Sequence, residues 1–182
     1  MLEQYRDVLL ATRIQNGKFF NKENNPFYRL DNVGKYTFSK YKVLWKEQIG
    51  SMAAVSISSY YDSIDTDERI FSTDKPIVID SKVLMLDLAT EKESFYVSGI
   101  LNSDVITHII DSYAISTNRG IDVLKNIAIP KYDEGNKTHI EISNLSKKIH
   151  GIARKKRSNS IKEIKILEKQ LNEFVKIVFK IS

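Results

Sequence analysis

The spacing of apolar residues changes partway along this 182-residue chain, and that change dictates a mixed fold. From Tyr36 to Ser58, aromatic and β-branched residues recur with partial alternation: Tyr36, Phe38, Tyr41, Val43 and Trp45, then Ala53-Ala54-Val55-Ser56-Ile57. Such patterning predicts strands, because successive side chains point to opposite faces of a sheet. Ile77-Val78-Ile79 and Val83-Leu84-Met85-Leu86, split by Asp80-Ser81-Lys82, predict a hairpin. After Phe95-Tyr96-Val97 the period becomes helical, with Asn102-Ser103 as the cap ahead of Val105, Ile106, Ile109 and Ile110. Val123 to Ile129 reads as a strand that ends at Pro130.

Two further helices follow. Thr138-His139-Ile140-Glu141 has the form of a capping box before Ile142, Leu145, Ile149 and Ile152. Ser160-Ile161-Lys162-Glu163 opens the last helix, whose Ile164, Leu167, Leu171, Phe174, Val178 and Ile181 recur at steps of three and four, a short coiled-coil-like seam. Residues 1–15 read as a short helix, Asn21 to Pro26 as a polar loop and Tyr60 to Lys75 as an exposed one. The fold class expected is α+β: a mainly antiparallel sheet with packed helices over residues 1–135, then a two-helix C-terminal extension over 136–182. The seam from Ile164 to Ile181 should pack on its own domain, with self-association as the alternative.

Composition narrows the function classes. Hydrophobic residues at 42% with 28% charged exclude a wholly disordered chain. Cysteine is absent, which excludes a disulfide framework, a thiolate nucleophile and cysteine-ligated zinc, and fits a reducing cytoplasm. The start lacks an apolar signal core and no 18-residue apolar run follows, so a soluble cytoplasmic protein is expected. The net charge of +5 conceals an uneven distribution. Arg13 to Lys46 holds eight basic and two acidic residues, Glu47 to Glu134 seven and fifteen, and Glu141 to Ser182 eleven and four. Two basic blocks thus flank an acidic middle, which marks two candidate surfaces for a polyanion.

Catalytic signatures are sparse. The seven glycines form neither a dinucleotide fingerprint nor a phosphate-binding loop. His108, His139 and His150 have no metal-ligand spacing. Asp80-Ser81-Lys82, with Asp62, Asp65, Asp67 and Asp74 upstream, could place carboxylates and a lysine as a metal-dependent nuclease does, although the same tripeptide is an ordinary turn. Asn24-Asn25-Pro26-Phe27 reads as a turn. The basic-aromatic block is more informative: between Lys35 and Lys46, four lysines (Lys35, Lys40, Lys42, Lys46) interleave with Tyr36, Phe38, Tyr41 and Trp45. Lysines attract phosphates while aromatic rings pack on sugars or stack on bases. The competing reading is a half-buried strand with its aromatics inward. In the second block Lys147, His150, Arg154 and Arg157 fall on one helix face as a phosphate-contacting ridge, with a merely solvated helix end as the alternative. The expected DNA-binding residues are therefore Lys35, Tyr36, Lys40, Tyr41, Lys42, Trp45, Lys46, Lys147, Arg154 and Arg157.

Several segments in order carry a family resemblance: Phe27-Tyr28-Arg29-Leu30, Asn32-Val33-Gly34-Lys35-Tyr36-Thr37-Phe38, Tyr41 to Lys46, Tyr96 to Ser103, Asn126-Ile127-Ala128-Ile129-Pro130-Lys131-Tyr132-Asp133, His139, and Leu145 to His150. Over residues 1 to 157 the chain resembles the C-terminal target recognition region of bacterial N6-adenine DNA methyltransferases, particularly fused restriction-modification enzymes, and is similar to the specificity subunits of type I restriction systems. The resemblance implies a non-catalytic module that reads a short sequence in double-stranded DNA. It implies that S-adenosylmethionine and the Asn-Pro-Pro-Tyr motif belong to a separate methyltransferase catalytic domain or subunit, the expected partner, with no cofactor in this chain. It also implies a structural strand where the nuclease reading has its Asp80 and Lys82.

Overall fold

A computed structural model describes residues 3–16, 25–28, 33–46, 52–58, 77–79, 82–113, 124, 127–155 and 160–181. The chain divides into two compact units, Met1–Lys35 and Tyr36–Ser182. In the first, a turn of 3-10 helix (Glu3–Tyr5) leads into α1 (Arg6–Asn16). The Arg6 guanidinium lies 4.4 Å from the ring centre of Phe27, which is buried and meets Tyr28 edge-on at 5.1 Å. Of the turn expected over Asn24 to Phe27, Asn24 lies outside the described residues; Asn25 is a bend, and Phe27 and Tyr28 form a turn.

The second unit is α+β. Strands β1 (Tyr41–Lys46), β2 (Ala54–Ser58) and β3 (Val83–Leu88) make an antiparallel sheet in the order β2-β1-β3. Trp45 lies opposite Ala54 on one side and Leu84 on the other; Tyr41 lies opposite Ser58 and Leu88. Helices α2 (Glu91–Leu101), α3 (Asp104–Tyr113), α4 (Lys137–Arg154) and α5 (Ser160–Phe179) complete the unit. Val43 and Trp45 of the central strand, with Leu84, Leu86 and Leu88 of β3, meet Ile100, Leu101, Ile106, Ile110, Ile142, Leu171 and Val175 in one core.

Four local expectations change. Lys35–Phe38 is a 3-10 turn, so Tyr36 and Phe38 precede the strand and are exposed. Ile77 to Ile79 are irregular and β3 pairs with β1, so the hairpin does not form; Lys82, at φ 71°, makes the turn into β3. Phe95 to Val97 are helical, within α2. That helix starts at Thr90, whose hydroxyl accepts from the Glu93 N–H at 3.1 Å, while the Glu93 carboxylate accepts from Ala89 N–H at 3.0 Å. Ile127 to Pro130 join no ladder; the segment is held by buried Ile127 and by the Tyr96 hydroxyl, which donates to the Pro130 carbonyl at 3.1 Å.

The C-terminal helices are core elements rather than an extension. The expected boundary at residues 135 and 136 divides side chains of one core, since Ile142, Leu171 and Val175 are fully or nearly buried beside Val43 and Ile100. The N-cap of α4 is Asn136, whose side-chain oxygen accepts from Thr138 and His139 N–H groups, two residues before the expected box. The α5 seam turns inward through Leu167, Leu171 and Val175, with Phe174 and Val178 packed on the core, leaving Ile164 and Ile181 at its ends. Lys180, at φ 54°, ends that helix, and the Ile181 N–H closes back onto the Lys176 carbonyl at 3.0 Å.

Small residues set how closely α2 and α4 approach. Ser98 and Ser146 share a hydrogen bond of 3.1 Å, and the Ser143 hydroxyl donates to the Lys92 carbonyl at 2.8 Å. Between them sits Gly99: a Cβ there would lie 3.0 Å from Ser146 Cβ, 3.1 Å from Ile142 Cγ2 and 3.3 Å from Leu171 Cδ1. A Cβ added at Gly151 would meet no atom within 4 Å beyond its own helix backbone. Gly99→Ala should therefore destabilise the chain by about 1 kcal/mol, overpacking outweighing the gain in helix propensity. Gly151→Ala should stabilise it by roughly 0.5–1 kcal/mol. Urea unfolding of both variants beside the wild type checks the pair, and equal midpoints for the two would overturn the packing account.

Candidate nucleic-acid interface

The sheet sorts the basic-aromatic block. Alternation along β1 turns Val43 and Trp45 toward the helices, where both are buried. Trp45 is therefore core and is removed from the expected contacts. Lys42 lies on the other face yet is fully buried; its ammonium donates to the Ser39 carbonyl at 2.6 Å, opposite Asp87 of β3. Burial lowers its pKa, and Asp87 opposes that shift. An ammonium held in this way is not presented to a phosphate, so Lys42 also leaves the set. Lys35, Lys40 and Lys46 are exposed, Tyr36 is 41% exposed and Tyr41 is half-buried, with the Lys40 ammonium 5.2 Å from the Tyr41 ring centre.

In the second block Lys147 and Arg154 are exposed together with Lys148 and Lys155, whereas Arg157 lies outside the described residues. Seven residues of helix separate Lys147 from Arg154, about 10 Å of rise, which is close to three nucleotide steps along one strand of duplex DNA. His150 is not part of this ridge. Its Nδ1–H donates to the Ser146 carbonyl at 2.8 Å and its Nε2 accepts from the Ser56 N–H at 3.2 Å, which fixes the neutral tautomer.

That contact belongs to a second arrangement the sequence did not disclose. β2 is an edge strand, and Ala54 and Ser56 turn their outward N–H groups away from β1. Asn102, at the end of α2, engages Ala54 twice: the Ala54 N–H donates to Oδ1 and Nδ2 donates to the Ala54 carbonyl, both at 2.7 Å. His150 takes the next outward N–H. The Ser56 hydroxyl meets the Ser94 hydroxyl at 2.6 Å on the inner face. Beside this edge a cleft of about 430 Å³ is bordered by Met52, Ala54, Ala153 and Glu168, whose carboxyl is shifted upward by burial and by Asp104.

Glu91, at the start of α2, pairs with Lys147 at 2.6 Å. Lys46 follows the alternation of Lys42, on the sheet face away from the helices, whereas Lys147 and Arg154 stand on α4.

His139 is buried against Tyr96 with ring centres 4.7 Å apart, and its Nδ1 accepts from the Asp133 N–H at 3.1 Å. The Tyr96 hydroxyl is pushed up to about 12 by burial. Asp80 and Ser81 of the nuclease reading, and the aspartates upstream of them, lie outside the described residues. Among the described residues no three His, Asp or Glu side chains form a group that could hold a metal ion, and no helix is long and apolar enough to cross a membrane.

No protein-family model matches the chain, and no curated protein matches it.

Both His139 and His150 have pKa values lowered, mainly by burial, from the ordinary histidine value. Above about pH 6.5 both are neutral folded or unfolded, and their contribution is complete. As the pH falls through that value the unfolded chain takes up protons that the folded chain resists, so stability declines, by at most about 1.4 kcal/mol per pH unit for each histidine. Denaturation midpoints between pH 7.5 and 5 should fall in the wild type and fall less steeply in His150→Gln. Parallel curves would mean that His150 titrates normally.

Proposed function

We propose that the chain is a sequence-specific module for double-stranded DNA: the target recognition part of a DNA adenine methyltransferase or restriction-modification system, acting with a catalytic domain or subunit that binds S-adenosylmethionine. The observation that supports this reading best is that both basic blocks keep exposed cations on or beside regular elements: Lys40 and Lys46 at the two ends of β1, Lys147 and Arg154 on α4. Fixed cations on regular elements suit a rigid polyanion, whose phosphates position the protein while groove contacts read sequence. The ordered segments that resemble target recognition regions support the same reading. Within it, Tyr36, Lys40, Tyr41, Lys46, Lys147 and Arg154 face DNA, whereas Lys42 and Trp45 hold the sheet.

Selection of the purified chain against a random duplex pool tests the reading directly: a short enriched motif is expected, and retention without enrichment would reduce the module to a generic basic surface. Substitution separates the roles. Lys40→Ala, Lys147→Ala and Arg154→Ala should each weaken binding to all duplexes alike and flatten the slope of log K against log salt by about 0.9. Lys42→Ala should lower stability and leave that slope unchanged. A salt titration beside a urea melt distinguishes the two classes, and a Lys42 effect confined to the slope would return this residue to the interface.

A further inference from the structure

Lys147 has a carboxylate partner: its ammonium donates to Glu91 Oε2 at 2.6 Å and lies 5.6 Å from the ring centre of Phe95. Glu91 is the first residue of α2, a helix whose remaining turns are buried in the core, so its backbone is fixed relative to α4. Both side chains stay about half exposed, Lys147 at 56% and Glu91 at 46%, so the pair is open to a competing anion.

We propose that Glu91 occupies the position of a DNA phosphate on Lys147, and that duplex binding proceeds by exchange of this carboxylate for a backbone phosphate. The inference rests on the DNA reading above and adds a regulating residue to it. The chemistry of the exchange is balanced: one charge-assisted hydrogen bond from the Lys147 ammonium is broken and one is formed, and Glu91 returns to water as a carboxylate. An exposed pair of this kind is weak enough to be displaced yet reduces the occupancy gained at Lys147 by a small factor. The carboxylate also repels the approaching phosphate. Glu91 thus holds non-specific attraction in check at Lys147.

Glu91→Gln keeps the side-chain length and removes the charge, and it should tighten binding to a mixed-sequence duplex by a factor of about two to five at low salt. In a Lys147→Gln background the same change should give no such gain. Glu134→Gln serves as the control for charge alone, since Glu134 pairs with Lys92 at 3.8 Å and not with a proposed DNA contact. Fluorescence anisotropy with one labelled duplex reads all five proteins, and far-ultraviolet circular dichroism melts of the same samples establish that each is folded. A gain seen with Glu91→Gln, lost without Lys147 and absent with Glu134→Gln is the expected result. Wild-type binding with no gain from Glu91→Gln, or a gain that persists without Lys147, overturns the exchange and leaves the DNA reading standing. No wild-type binding even at low salt overturns both.

Discussion

The near-contact of α2 with α4 is the constraint on which the second unit depends. Ser94, Ser98 and Gly99 on one helix and Ser143 and Ser146 on the other leave no bulk between the two backbones. The buried hydroxyls find partners: Ser98 with Ser146 and Ser143 with the Lys92 carbonyl across this seam, and Ser94 with Ser56 of β2 and with the Glu91 carbonyl. Polar side chains in such a place would be costly if left unpaired, and paired they fix the rotation of each helix. From that rotation follow the inward turn of His150 and the outward turn of Lys147 and Arg154.

The same seam closes the sheet. With α4 held at this height, His150 reaches Ser56, and with α2 ending where it does, Asn102 meets Ala54. Side chains thereby complete what a fourth strand would otherwise supply on the β2 edge, and the edge is no longer a template for pairing. Lys147 and Arg154 share α4 with His150, so their positions depend on the same closure.

Much of this was legible in the sequence where a single pattern dominated. β1, β2 and β3 follow from Tyr41 to Lys46, Ala54 to Ile57 and Val83 to Leu86, and the last helix from its steps of three and four, because each buries one face. Ser103 was readable as a cap and does accept from the Ile106 N–H at 3.3 Å. α2 was hidden for the opposite reason: it is buried almost all round, so its polar positions are small serines rather than a solvent stripe. Its signal was Thr90 with Glu93, a start rather than a period. Lys42 and Trp45 could not be assigned from composition, since a lysine can be interior only if a carbonyl and an acidic neighbour await it, and Ser39 and Asp87 are brought there by the fold.

The division of α4 into a serine-histidine side and a lysine-arginine side has a consequence for how such a chain can change. Insertion of one residue turns everything beyond it by about 100°. A single extra residue before Ser143 would carry Ser146, His150, Lys147 and Arg154 around together, setting Leu145 in place of Ser146 against Gly99 and turning the edge-closing imidazole to water. Exchanges of one outward residue for another leave the seam untouched. Length variation should accordingly gather outside Lys137–Arg154, while the charge pattern on that helix is free to drift from one lineage to the next.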